Sequence, residues 1–339
     1  MTVTIVTDAG TFVAAPEPPI VRTAVFIARA VDEVSGAEPR TPIDMRTDRE
    51  VAFARAGTGG MISVSGRVEH LFPDLATTNY QLEITIAARG YRTHTRTETI
   101  LAGSQFPIDL GTIALRPFPV RVEGRVTKES DRTPIAGAVI RVITPKVLLL
   151  SVPAYYDHPA GTAVTARTLT PGAAHALAGD APAGAIAFAL NNVAGLGAGG
   201  LLLFDGREYG VIASVDAGAK TVTLEHALRR SYADGAVVNE VGIAAGAATT
   251  TSRDVNAGDG ILLLNAPLAG DALSLGGAPI EYHDLGVVSD ADGFYAANGV
   301  GGVREPTFRA SAGGFADLDV PLAIDYANPV NPSSFRLRP

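Results

Sequence analysis

Residues 122–143 read VEGRVTKESDRTPIAGAVIRVI, and residues 289–302 read SDADGFYAANGVGG. The first stretch has two strand-like segments around a polar turn. The second opens with a tight Asp–Gly turn, in which Gly293 can adopt a positive φ, and continues into an aromatic strand start. Each stretch supplies only half of a β-sandwich, and residues 144–288 separate the two. The sequence therefore predicts one sandwich that is interrupted by a long insert.

The two stretches together resemble the carboxypeptidase regulatory-like family, a small transthyretin-like or Ig-like β-sandwich. The matches at the front are Gly124–Val126, the turn Pro134–Ala138 and the strand Val139–Val142. The matches at the back are the turn and strand start Ser289–Tyr295 and the pair Gly314–Phe315. The resemblance implies a sandwich domain formed by residues 119–145 plus 287–339.

Residues 21–118 predict a first sandwich of the same general kind. About seven short strands follow one another at roughly 10-residue spacing, which is typical of this fold. In YQLEITIAA, residues 80–88, Leu82, Ile84 and Ile86 fall on one face of the strand, which indicates a half-buried antiparallel strand. Pro117 and Pro119 place the domain boundary near residue 118. Residues 1–20 are rich in proline at their end and predict an extended N-terminal arm.

Residues 146–286 form the predicted insert, which contains an internal repeat. Residues 180–212 align with residues 254–288 at an offset of 74, so that Asp180 matches Asp254. The repeat resembles small β-modules of phage structural and bacterial surface proteins. Its glycine turns and short apolar runs predict a small barrel or β-roll. The expected fold class is therefore all-β, with tandem sandwiches and a β-rich insert in the second.

Composition excludes several classes of function. The net charge is −8 and no basic stripe is present, so we expect no nucleic-acid partner. Cysteine is absent, which excludes disulfides, thiolate metal sites and cysteine catalysis. The start of the chain has no signal-peptide pattern and no apolar run is long enough to span a bilayer. We therefore expect a protein that is made in the cytoplasm and has no membrane partner.

Patterns for metal and nucleotide binding are weak. The six histidines lack the close spacing of zinc ligands and are interpreted as surface or turn residues; they are His70, His94, His158, His175, His226 and His283. Asp290 and Asp292 resemble the start of a Ca²⁺ loop, but the later acidic ligands are missing. Gly195, Gly197 and Gly200 resemble part of a dinucleotide loop, but a strand-like run follows them. We expect no metal ion and no cofactor.

Candidate residues for catalysis or ligand binding are equally few. Glu208 and Glu281 are each followed by tyrosine in the two repeat copies, which favours a structural role at an edge strand over a catalytic one. Arg92 and Arg96 alternate with threonine and are interpreted as one solvated strand face. The stretch AYYDHP, residues 154–159, is the one exposed aromatic cluster that could contact a glycan. We expect no catalytic, cofactor-binding or metal-binding residues.

These patterns favour a non-enzymatic structural protein. The first hypothesis is a component of a phage tail or a phage tail-like contractile injection particle, with other subunits and further copies of itself as partners. One alternative is an attachment module that binds a cell surface or a glycan, so that a glycan remains open as a partner. A second alternative, with the least support, is a glycoside-active enzyme that uses Glu208 and Glu281.

Overall fold

The computed structural model describes residues 3–7, 10–14, 23–39, 41–49, 53–56, 58–276 and 279–339. Nearly all of its regular structure is β-strand, which confirms the predicted all-β class. The helical segments in these ranges are a short 3₁₀ turn, Thr58–Gly60, and one turn of α-helix, α1, at Val68–Leu71. No helix in the described part of the chain has the length and apolarity that a membrane span needs.

The chain forms two compact units, Met1–Phe118 and Pro119–Pro339. The strands described in the first unit are β1 (Val3–Thr7), β2 (Gly10–Ala14), β3 (Thr23–Asp32), β4 (Ile43–Thr47), β5 (Phe53–Ala56), β6 (Met61–Gly66), β7 (Tyr80–Ala88), β8 (His94–Ile100) and β9 (Ile108–Leu115).

The first two strands differ from the extended arm that the sequence predicts for residues 1–20. β1 pairs with β2 in an antiparallel hairpin, so residues 3–14 fold back on themselves. The proline-rich part of the predicted arm, residues 15–20, lies outside the described residues.

The other seven strands of the first unit form a two-sheet sandwich. One sheet has the order β5-β6-β3-β9, with β3 and β9 parallel, and the other has the order β4-β7-β8. The inner face of β7 carries Leu82, Ile84 and Ile86, all buried, while Gln81 and Glu83 are exposed. The alternation that the sequence shows in this strand is thus confirmed.

The second unit contains eighteen strands, numbered here in chain order. They are β10 (Val120–Lys128), β11 (Val139–Val142), β12 (Val147–Leu149), β13 (Ala163–Ala176), β14 (Ala187–Ala189), β15 (Leu201–Phe204), β16 (Glu208–Asp216), β17 (Thr221–Leu224), β18 (Val237–Thr250), β19 (Ile261–Leu263), β20 (Ala272–Leu275), β21 (Glu281–Asp284), β22 (Val287–Val288), β23 (Phe294–Val300), β24 (Thr307–Ser311), β25 (Leu318–Pro321), β26 (Val330–Pro332) and β27 (Phe335–Leu337).

Two sheets of this unit combine strands from both sides of residues 146–286. β10 pairs antiparallel with β23, so that Gly124 lies opposite Tyr295, and parallel with β26 and β27. The facing sheet has the order β22-β11-β24-β25. The large side chains Tyr295, Phe308 and Phe335 fill the core between the sheets. The chain leaves this sandwich after β11 and returns to it at β22.

The strands between β11 and β22 enclose two separate hydrophobic cores. One core lies within a single stretch, residues 177–238, which we call the contiguous lobe. The other combines residues 147–164 with residues 251–285, which we call the split lobe. Eight strands form one sheet across both lobes in the order β14-β17-β16-β15-β18-β13-β20-β21, and β12 pairs with β19 beside it. The single small barrel or β-roll that the sequence predicts therefore differs from this two-core arrangement.

The two lobes are built from exchanged halves of one duplicated segment. Adding 74 to Ala163 and Ala176, the ends of β13, gives Val237 and Thr250, the ends of β18. β13 and β18 pair antiparallel, and Leu169 lies opposite its own repeat equivalent, Ile243. The register is thus symmetric about this pair.

The short strands follow the same exchange. β12 of the first copy pairs with β19 of the second, and β14 of the first copy pairs with β17 of the second. Each lobe thus takes its front half from one copy and its back half from the other. The repeat is longer than the aligned segments 180–212 and 254–288, because it also includes the strands in front of them.

The insert is joined closely to the sandwich. Val147, Leu149 and Ile261 belong to the same buried core as the sandwich strands. The backbone N–H of Gly260 donates to the carbonyl of Gly299 at 2.7 Å. A Cβ atom on Gly260 would lie 2.0 Å from the carbonyl oxygen of Asn298, so only glycine fits this approach.

We predict that Gly260→Ala destabilises the second unit by about 1–3 kcal/mol, because the backbone must move apart to admit the methyl group. Gly313→Ala is the matched control, since Gly313 has no positive φ and its Cβ would meet no atom within 4 Å. Urea unfolding of the two variants measures the difference. Equal stability of Gly260→Ala and Gly313→Ala would contradict the close junction.

Candidate functional site

Two buried glutamates are the acidic residues that the sequence marks as candidates for chemistry. Glu208 is the first residue of β16 and Glu281 is the first residue of β21. Their exposed fractions are 4% and 3%. A buried carboxylate is costly unless hydrogen bonds or charges compensate it, so its partners decide its role.

Glu208 accepts hydrogen bonds from both ends of one short turn. The backbone N–H of Arg229 donates to Oε1 at 2.7 Å, and the hydroxyl of Tyr232 donates to Oε2 at 3.0 Å. Burial raises the pKa of the Tyr232 hydroxyl, and the nearby negative charge of Glu208 raises it further. Tyr232 therefore stays a donor at neutral pH, and Glu208 holds the turn against β16.

Glu281 accepts four hydrogen bonds. The backbone N–H groups of Tyr155 and Tyr156 donate at 2.7 and 2.9 Å. Nε2 of His158 and Nε2 of His283 lie 2.8 Å from Oε1 and Oε2 respectively. Burial alone would raise the pKa of Glu281, but the hydrogen bonds from the two histidines outweigh it and lower the pKa to about 2. The carboxylate is charged at neutral pH, and its acceptor sites are filled.

The two carboxylates occupy equivalent places in the duplicated segment. Tyr155 and Arg229, which both donate a backbone N–H, are 74 residues apart. His158 and Tyr232, which both contribute a side-chain partner, are also 74 residues apart. The same arrangement is thus built once in each lobe, where it fixes the turn that leads into β13 or β18.

The predicted edge position of the glutamates holds for one of them. Glu281 begins β21, the last strand of the eight-stranded sheet. Glu208 begins β16, which lies between β15 and β17, so its expected place at an edge is wrong. The tyrosine after Glu208 has a specific contact, since the hydroxyl of Tyr209 donates to Oδ1 of Asp284 in the split lobe at 3.0 Å.

A small cavity of about 30 Å³ lies beside the glutamates. Its walls include the aromatic residues predicted to be exposed, Tyr155 and Tyr156. Both rings are already covered: the Arg229 guanidinium lies 4.9 Å from each ring centroid, and His226 lies 5.0 Å from Tyr156. This volume is close to that of one water molecule. The cavity has no room for a sugar ring.

The glycine-rich stretch lines a larger groove. Gly195, Gly197 and Gly200 lie along a groove of about 360 Å³, opposite Thr170–Gly172 and Glu240–Gly242. The stretch leads into β15, which is a strand. A dinucleotide loop presents its phosphates to a helix N-terminus, and β15 offers none.

Three histidines are buried, contrary to their interpretation as surface or turn residues. His158 and His283 flank Glu281, and Nε2 of His175 lies 3.0 Å from Oε1 of Glu240. Nδ1 of His175 also lies 2.8 Å from the carbonyl oxygen of Asn192. The interpretation is wrong for these three because each has a carboxylate partner that is distant in sequence. Within the described residues, no three His, Asp or Glu side chains are placed to hold a metal ion.

The remaining candidate residues are engaged in local structure. Oδ1 of Asp290 accepts from the N–H groups of Asp292 and Phe294, while Gly293 has a φ of 69°, as its predicted turn requires. Arg96 is bonded to Glu98 and to the carbonyl of Leu110. The Arg92 guanidinium lies 5.9 Å from the ring of Phe118. That the chain has no catalytic, cofactor-binding or metal-binding residues stays a prediction.

We predict that Glu281→Gln destabilises the second unit by roughly 3 kcal/mol at pH 7, because an amide cannot satisfy four donors. The low pKa of Glu281 stabilises the folded state above about pH 4.5, and this contribution disappears as the pH falls towards 2. The stability difference between wild type and Glu281→Gln should therefore shrink over that interval.

The matched control is Glu208→Gln, which loses an acceptor of two printed hydrogen bonds and should be the less destabilised variant. Urea unfolding at pH 7, 5 and 3 measures both effects. An unchanged gap between wild type and Glu281→Gln from pH 7 to pH 3 would contradict this role of the carboxylate.

Comparison with known proteins adds little to this geometry. No family model matches the chain, and no curated protein matches it. Two solved structures of BcpA, the major pilin subunit of Bacillus cereus, are similar to it. A point variant of BcpA has a TM-score of 0.22 at 9% identity, and BcpA itself has 0.20 at 10%; both cover 94% of this chain and 99% of the pilin. At such TM-scores the likeness carries no argument about function.

Proposed function

We propose that the chain is a non-enzymatic structural subunit that acts through protein–protein contacts in a phage tail or a phage tail-like contractile injection particle. One observation carries the first part of this proposal. Both candidate acidic residues, Glu208 and Glu281, are buried and hydrogen-bonded to the turns that they hold.

A glycoside-active enzyme needs two carboxyl groups that reach opposite sides of a sugar bond. The Glu281 carboxylate already accepts four hydrogen bonds, and the cavity beside both residues has a volume of about 30 Å³. The duplication favours the same conclusion, since each lobe uses its glutamate in the same way. These contacts favour a structural role over hydrolysis.

The particle part of the proposal rests on the architecture and on the resemblances stated above. Tandem sandwiches without disulfides fold in a reducing cytoplasm, where such particles assemble. Sheet edges and long hairpins can then contact neighbouring subunits by strand addition. We propose that the protein is made in the cytoplasm and incorporated there, with other subunits and its own copies as partners.

Attachment to a glycan is the second candidate, because Tyr155 and Tyr156 form an aromatic cluster at the surface of the insert. Aromatic rings bind sugars through an open face. Here Arg229 lies over both rings and His226 lies against Tyr156, so these faces are occupied by side chains of the protein itself. The geometry therefore favours the structural candidate.

We predict that removal of residues 2–20 leaves the protein folded but prevents its incorporation into particles. The N-terminal hairpin β1–β2 is a two-stranded sheet with open edges, which can pair with a neighbouring subunit. Purified particles from cells that express the truncated chain, compared by mass spectrometry, measure incorporation, and circular dichroism checks folding.

The control is Tyr156→Ala, which should enter particles normally. Normal assembly of the truncated chain, together with a saturable glycan affinity that Tyr156→Ala abolishes, would replace the structural candidate by the attachment module.

A further inference from the structure

The centre of the β13–β18 pair is a two-stranded ribbon exposed to solvent. We call Thr168–Ala174 and Val241–Ala248 the central ribbon. Every residue of Gly242–Ala248 is exposed, as are all residues of Thr168–Ala174 except the half-buried Leu169. Because neighbouring side chains of a strand point to opposite faces, exposure of consecutive residues means that both faces of the ribbon are open.

The long edges of the central ribbon are also open. β15 pairs with β18 only as far as Val241, and β20 pairs with β13 only as far as Arg167. Beyond these points no described strand adds to either edge. The ribbon sequences TLTPGAA and VGIAAGAA contain no charged residue. Ile243, at the centre, is 38% exposed.

A ribbon of this kind is poorly stabilised by itself. Two strands without a third strand or a covered face are only marginally stable in water. Soluble proteins usually protect an exposed edge with charge, proline or a bulge. β13 has Pro171 at this edge, whereas the equivalent residue of β18, 74 positions later, is Ala245. The edge of β18 is therefore the less protected of the two.

We propose that a second copy of this chain covers the central ribbon, by antiparallel pairing of the Gly242–Ala245 edge with the same edge of its partner. This inference rests on the proposed structural function and names one of its partners. A contact between identical copies across a two-fold axis requires a surface that is complementary to itself. An uncharged strand edge meets this requirement, since antiparallel backbone groups match in both directions and no like charges meet.

The small size of the central ribbon sets the expected strength of the contact. Eight residues of two strands cover ~26 Å by ~10 Å, or ~260 Å² on each face. A stable interface buries about 800 Å² on each partner. Pairing of isolated copies is therefore weak, and it gains strength where a particle holds many copies side by side.

The absence of cysteine from the chain allows a direct test. Ala245→Cys places a single thiol at the proposed two-fold axis. Ala219→Cys is the matched control, since Ala219 is exposed in a turn of the same insert. We expect Ala245→Cys to form disulfide-linked dimers roughly tenfold faster than Ala219→Cys under mild oxidation, because pairing raises the local thiol concentration. Non-reducing electrophoresis measures both rates.

A second pair of variants tests the contact without a cross-link. Ala245→Lys should shift the purified full-length protein towards monomer in sedimentation equilibrium, while Ala219→Lys should not. Both positions are exposed, so circular dichroism should show the wild-type fold in each variant. Equal cross-linking rates at the two positions, with no effect of Ala245→Lys on association, would overturn the proposal. If the protein still enters particles in that case, the proposed function stands and only the self-contact is wrong.

Discussion

The antiparallel pairing of β13 with β18 is the constraint on which the insert depends. These strands are the equivalent parts of two copies of one segment, and they cross at Leu169 and Ile243. Because each strand runs from one lobe into the other, the crossing directs the front half of each copy towards the back half of the other. The two buried glutamates then fix the turns at the ends of the crossing strands.

This exchange explains how a sandwich can accommodate so long an insert. The split lobe uses both ends of the insert, so the chain enters and leaves in the same place. Its strands β12 and β19 lie against the sandwich, where Val147 and Ile261 join the core and Gly260 approaches Gly299. The insert ends are therefore held close together, which removes most of the entropic cost of opening a loop.

The fold class could be predicted from the sequence because alternation and turn residues are local signals, as the buried face of Leu82, Ile84 and Ile86 shows. The offset of 74 also identified Glu208 and Glu281 as related residues, apart from a one-residue difference. The exchange of halves could not be predicted, since a repeat shows which residues are equivalent and not which ones pair. The signal for the missing half was nevertheless present: HPAG at residues 158–161 and YADG at 232–235 share the same offset. The burial of His158 and His283 depends on a carboxylate distant from His158 in sequence, which spacing alone does not reveal.

The exchange of halves is tested most directly by removing the contiguous lobe. Leu177 and Ala236 are hydrogen-bonded neighbours, so Asn-Gly can replace residues 178–235 and join β13 to β18 by a tight turn. The measurement is amide hydrogen exchange in β12 and β19, read by mass spectrometry. If each lobe combines halves of both copies, these strands keep their partners and their amides stay protected. Rapid exchange throughout both strands in a variant whose sandwich remains folded would show that the front half of each copy depends on its own back half, and would contradict the account.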